Sequence, residues 1–135
     1  MATIERTATV AASAAAVWDA MRDVAALHTR LVPGFVVATD MIAPRVRRAT
    51  FASGTVLDER IVTVDDAAMR LVWSIVGEGV EHHNGATQVF AAAAGARVVW
   101  TADVLPDALA EQFAPLMTAG MATMKEHLEG SLAGA

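Results

Sequence analysis

Apolar and polar residues alternate at the start of the chain. Ile4, Ala8 and Val10 fall on one side of an extended segment and Thr3, Glu5, Thr7 and Thr9 on the other, with Arg6 interrupting the apolar side. A period of two predicts a strand over 3–10 with one wetter face. Ser13 then stands where its hydroxyl can accept from the open amides of a first helical turn, and Val17, Trp18 and Met21 follow at helical spacing, so 14–22 reads as a short helix. Asp23 is placed to cap a second short helix over 24–31, which Pro33-Gly34 ends. Strands are predicted over 35–42, 46–52, 55–64, 69–76, 82–93 and 97–105. The turns between them fall at Ala43-Pro44, Ser53-Gly54, Asp65-Asp66, Gly77-Glu78-Gly79 and Ala94-Gly95. Such short connections indicate an antiparallel meander.

After Pro106-Asp107 the period becomes helical. Leu109, Phe113, Leu116, Met117, Gly120, Met121, Met124 and Leu128 share one face at i, i+3, i+4 spacing. Asp107 suits an N-cap or the first turn, where a negative charge meets the positive helix end. The helix is expected to reach about residue 132, with Gly134 in a frayed tail and Pro115 kinking or dividing it. A helix of ~25 residues is ~37 Å long, enough to cross a whole sheet.

Composition narrows the chemistry. A chain of 135 residues is one domain, large enough for a core without staples. It has no cysteine, which excludes disulfides and thiolate metal sites. Its single lysine, Lys125, argues against Schiff-base chemistry. A net charge of −5 and a pI near 5.2 argue against nucleic-acid binding, which rests on cations facing phosphate. No apolar run approaches the ~20 residues of a membrane span, and the first ten residues carry Glu5 and Arg6 rather than a leader's apolar stretch, so a cytoplasmic protein is expected. The positive mean hydropathy owes much to 30 alanines, which add little core volume. No phosphate loop, Ser-His-Asp order or dinucleotide fingerprint occurs. The four histidines lack metal-ligand spacing, so neither cofactor nor metal is expected.

The element order is a strand, two short helices, about six antiparallel strands and one long helix. With it go Val17-Trp18 before Asp23, Leu31-Val32-Pro33-Gly34, Arg47 then Gly54 then Glu59-Arg60-Ile61 then Asp65 or Asp66, Trp100 to Pro106, and Gly120-Met121-x-x-Met124-Lys125. Together they resemble the START-like (SRPBCC) superfamily, and within it the polyketide cyclase/dehydrase-like family. The resemblance covers roughly 4–132. It implies an α+β helix-grip fold, a curved antiparallel sheet of about six to seven strands around the C-terminal helix, with a cavity for a lipid, polyketide or aromatic metabolite between them. Relatives include enzymes, carriers and receptors, so the fold does not decide the function. The chain departs from the family pattern in having no tyrosine, and Ile42-Ala43-Pro44-Arg45 replaces the usual glycine-rich hairpin.

Strand parity sorts the candidate site residues. Leu57, Glu59, Ile61 and Thr63 share one face and Val56, Asp58, Arg60, Val62 and Val64 the other. Both faces hold apolar residues, so parity does not choose between them. The resemblance to plant abscisic-acid receptors puts the Glu59 face inward; the alternative is a surface pair between Glu59 and an arginine. Trp73 and Ile75 read as cavity wall or as ordinary core. Of the adjacent His82 and His83, at most one points inward without a bulge; His83 beside Glu59 would make an acid–base pair for dehydration or aldol closure. Arg47 either stands with Arg45 and Arg48 on a solvated edge or reaches inward to Glu59 or a ligand carboxylate. Thr87 is a polar group able to orient a ligand. Phe113, Met117, Met121 and Met124 form core that also floors the cavity, and Gly120 leaves room for packing or ligand. Trp18 reads as core. By the same resemblance, Gly77 to His83 and Ala52 to Thr55 would be loops at the cavity mouth.

The expected function is binding of an apolar small molecule, as carrier or sensor. The alternatives are a cyclase, dehydratase or aromatase using Glu59 and a histidine, and a module whose loops contact a partner protein. An exposed edge strand with Val62 and Val64 outside would allow a homodimer.

Overall fold

A computed structural model describes residues 1–132. One antiparallel sheet holds seven strands: β1 (Ala2–Val10), β2 (Val36–Ala43), β3 (Val46–Phe51), β4 (Val56–Asp65), β5 (Arg70–Val76), β6 (His82–Ala92) and β7 (Gly95–Leu105). Their order is β1-β7-β6-β5-β4-β3-β2. The meander of β2 to β7 comes from turns of a few residues, and β1 closes against β7, where Ile4 lies opposite Ala102 and Val10 opposite Ala96. Register shifts interrupt β2–β3 and, between Ile61 and Thr63, β4–β5. Such irregularities bend a sheet, and this one curves around its helix. At Gly95, where β6 turns into β7, φ is +129° and a Cβ would collide with the Ala12 carbonyl oxygen, so the close approach requires glycine.

The helix α1 (Ala14–Arg22) starts at Ser13, whose hydroxyl accepts from the Ala16 amide at 3.2 Å. Trp18 is core, and its indole N–H donates to Asp66 at 2.9 Å. The second short helix covers the expected residues but is not α-wound: Val24–Ala26 is a single 3₁₀ turn and Leu27–Leu31 a π turn. Asp23 serves the first turn with its backbone carbonyl, which accepts from Ala26 at 3.0 Å, while its carboxylate pairs with Arg30 at 3.0 Å. The long helix α2 (Leu109–Ser131) continues through Pro115, and Asp107 serves its first turn with its backbone carbonyl, which accepts from Ala110, rather than with its carboxylate. The expected tail at Gly134 lies outside the described residues. Phe113, Met117, Gly120, Met121, Met124 and Leu128 are the buried face of α2, as the periodicity predicts. They join the inward residues of the sheet in one core. Val62 and Val64 are exposed, as are Val37, Met41 and Ile42 on the edge strand β2. The register shift after Ile61 sets Val64 opposite Leu71 and Thr63 opposite Val72, so the simple alternation that put Val64 outside and Thr63 on the Glu59 face does not run through it. Among the described residues no helix is long and apolar enough to cross a membrane.

Candidate functional site

Between the concave sheet and α2 lies an apolar chamber in two lobes. The larger, about 70 Å³, is lined by residues of the π turn, β3, β5, β6 and α2; the smaller, about 50 Å³, sits between β4, β5, β6, β7 and the N-terminal half of α2. Phe35, Phe51, Glu59, Trp73 and Trp100 border both. Arg47, Thr87, Gly120, Met121 and Met124 face the larger lobe, and Leu57, Ile75, His83, Phe113 and Met117 the smaller. Ile61 is buried in the core, on the face Glu59 occupies, outside the lining of both lobes. Parity gives the face but not the depth, and two residues along a strand is about 7 Å.

One ion pair is built into the wall. Arg47 on β3 stands opposite Glu59 on β4, and its Nε donates to Glu59 Oε1 at 2.7 Å. The side chains are only 4% and 8% exposed, so this is not a solvated edge. Arg47 Nη1 also donates to the Val24 carbonyl at 3.1 Å, and its guanidinium lies 5.9 Å from the Trp73 ring centroid. Burying two charges is costly and is repaid only by close geometry and further hydrogen bonds, which Val24 helps supply. Arg48, one residue on, points out and pairs with Asp58 at 2.8 Å, holding that carboxyl below its ordinary range.

His83 is buried and His82 exposed, as alternation requires. His83 Nδ1 accepts from the Ile75 amide at 3.0 Å, and the ring meets Phe113 edge-on at 5.6 Å. Burial, with the neighbouring His82 adding to it, pushes its pKa down to about 4. The imidazole is therefore neutral at pH 7, and with Nδ1 accepting, its proton sits on Nε2. The ring that borders the smaller lobe thus has Nδ1 occupied and its one N–H at Nε2. Among the described residues no hydrogen bond joins it to Glu59, although both border that lobe.

An open groove of about 700 Å³ lies outside the chamber, between α2, Pro33-Gly34 and the β3–β4 turn. Phe35 and Phe51 line the groove and both lobes, their rings edge-to-face at 5.3 Å. This pair, with Leu116 beside it, stands between the groove and the lobes. Ala52 and Ser53 border the groove, whereas Gly77, Glu78 and Val80 border a separate surface hollow with Arg48 and Asp58. Sequence reasoning missed Phe35, Phe51 and the lining role of Trp100. The signal available was position: each phenylalanine stands beside a turn glycine or turn residue at a strand end, and Trp100 shares the inward parity of Val98 and Ala102. Gly85 is also structural to the site, since a Cβ there would lie 2.9 Å from the Trp73 ring.

The family model described as polyketide cyclase / dehydrase and lipid transport matches residues 1–129. The chain belongs to that family. No curated protein matches it. Among solved structures, the family member is similar to the protein XoxI from Bacillus cereus (18% identity, TM-score 0.81, 98% of this chain and 96% of that one). It is similar to a Thermobifida fusca protein at 28% identity and TM-score 0.77, with 98% and 96% covered. It is also similar to the Zhui aromatase/cyclase from a Streptomyces species at 19% identity and TM-score 0.74, with 97% and 93% covered. These likenesses establish the helix-grip SRPBCC fold for this polyketide cyclase/dehydrase family member.

Proposed function

We propose that the chain binds a small hydrophobic molecule in the chamber, as a carrier or sensor, with the Arg47–Glu59 pair as the polar mark on an otherwise apolar wall. The observation that carries this reading is the chamber itself: aromatic, aliphatic and methionine side chains enclosing space, with a few polar groups converging on it. Even combined, the lobes are smaller than the roughly 150 Å³ that accommodates benzene. An occupant of that size enters by displacing the Phe35–Phe51 pair, which would join the chamber to the groove. Native mass spectrometry of freshly purified protein, followed by denaturation and analysis of what is released, tests the reading. A stoichiometric apolar adduct is expected; bare protein that also takes up no aromatic probe overturns it.

A second reading is a cyclase, dehydratase or aromatase, favoured by the family and by Glu59 and His83 bordering one lobe. The hydrogen bonding weighs against it as the first choice. Glu59 is engaged by Arg47, and His83 would have to give up the Ile75 amide or change tautomer to act as a base. Unchanged turnover in Glu59→Gln and His83→Ala on a substrate found through the adduct would remove this reading.

A further inference from the structure

Two buried polar atoms on residues that line the chamber have no partner among the described residues: Thr87 Oγ1 and Trp100 Nε1. Thr87 is 7% exposed, so its hydroxyl is shut away from bulk water. The two residues are directly opposed on β6 and β7, with inward parity, and both line the larger lobe. Around them stand Leu71, which faces Thr87 from β5, and Met121 and Met124 from α2, none of which carries a strong hydrogen-bonding group. Valine would fill the place of Thr87 with the same shape and no unmet hydroxyl. Gly120 keeps this end open, since a Cβ there would press within 3.1 Å of the Trp100 ring. A buried donor without a partner is costly and rare, and two beside the same cavity call for an explanation.

We propose that Thr87 and Trp100 form an oxygen-recognising subsite of the chamber. The indole N–H can only donate and the hydroxyl can donate beside it, so the ligand is a mostly apolar molecule that carries an accepting oxygen, as in a carbonyl, at the end entering the larger lobe. That lobe holds about two water volumes, enough for the oxygen and one or two carbons. The inference rests on the ligand-binding reading above and specifies its ligand class.

The test compares acetophenone with α-methylstyrene, which replaces the carbonyl oxygen by a methylene group of similar size. Both are titrated by NMR into the wild type, Thr87→Val and Thr87→Ser. Taking the ratio of the two affinities within each protein cancels effects on folding and general apolarity. Thr87→Val should lower the acetophenone preference roughly three- to tenfold, the worth of one neutral hydrogen bond, whereas Thr87→Ser keeps it within about twofold. The Trp100 indole proton should move downfield with acetophenone and not with α-methylstyrene. If both probes bind and the ratio in Thr87→Val equals that of the wild type, the subsite is refuted and the hydroxyl serves only water. If neither probe binds the wild type, the ligand-binding reading itself falls, and this inference with it.

Discussion

Lowering the pH from 7 to 5 should destabilise the protein through His83. The buried ring has a pKa of about 4 against an ordinary value of 6.5. Below pH 6.5 the unfolded chain takes up a proton that the folded chain refuses until the pH nears 4, so stability falls as pH falls through that window. Integrating between pH 7 and 5 gives a loss of about 2 kcal/mol. Urea unfolding at pH 7, 6 and 5, for the wild type and for His83→Asn, isolates the effect. Asparagine keeps an oxygen able to accept from the Ile75 amide and removes the titration. The wild type should lose about 2 kcal/mol more than the variant across this range, a relative midpoint shift of roughly 1 M for slopes of 1–3 kcal/mol/M. Asp58, Asp66 and Glu129 are held low by Arg48, by Arg22 with Trp18, and by the Ala11 amide with Lys125. Their contributions are lost only as pH falls below their ordinary values of 3.8 and 4.5, and they are common to both proteins. Parallel curves from pH 7 to 5 would refute a His83 held neutral by burial.

Arg47→Met and Glu59→Leu should each cost about 3–5 kcal/mol by stranding a buried charge, while the double variant costs clearly less than their sum; a denaturation cycle reads the coupling, and additive losses would contradict a buried pair. Gly95→Ala should destabilise by more than about 2 kcal/mol, because its backbone sits at φ +129° and the Ala12 carbonyl blocks a Cβ; calorimetry checks this, and a neutral result would contradict the packing at that turn. Phe35→Ala should raise the association and dissociation rates of an aromatic probe together, measured by stopped-flow, whereas unchanged rates would mean that the Phe35–Phe51 pair is not the entrance.

Much of the fold was legible because long regular patterns encode it. The face of α2 from Phe113 to Leu128 and the alternation in β1 and β4 follow directly from where water is excluded. The 24–31 segment is helical as its spacing predicts, but apolar spacing alone does not distinguish α winding from a 3₁₀ turn followed by a π turn. Asp23 caps with its backbone carbonyl, which leaves its carboxylate free to pair with Arg30. For the chamber, parity brought Arg47 and Glu59, or His83 and Ile75, onto candidate faces. Whether they meet depends on cross-strand register, which is a tertiary property. Parity gives the face of Ile61 but not its depth along the strand, and Val24 carried no signal because it contributes only its backbone oxygen.

The indole region of a ¹H–¹⁵N NMR spectrum tests the chamber most directly. The chain has three tryptophans: Trp73 and Trp100 border both lobes, and Trp18 donates to Asp66 away from them. During titration with toluene, a probe without oxygen, the Trp73 and Trp100 signals should shift saturably while Trp18 stays still. Saturable shifts confined to Trp18, or no indole shift at all, would contradict a ligand-binding chamber between the sheet and α2.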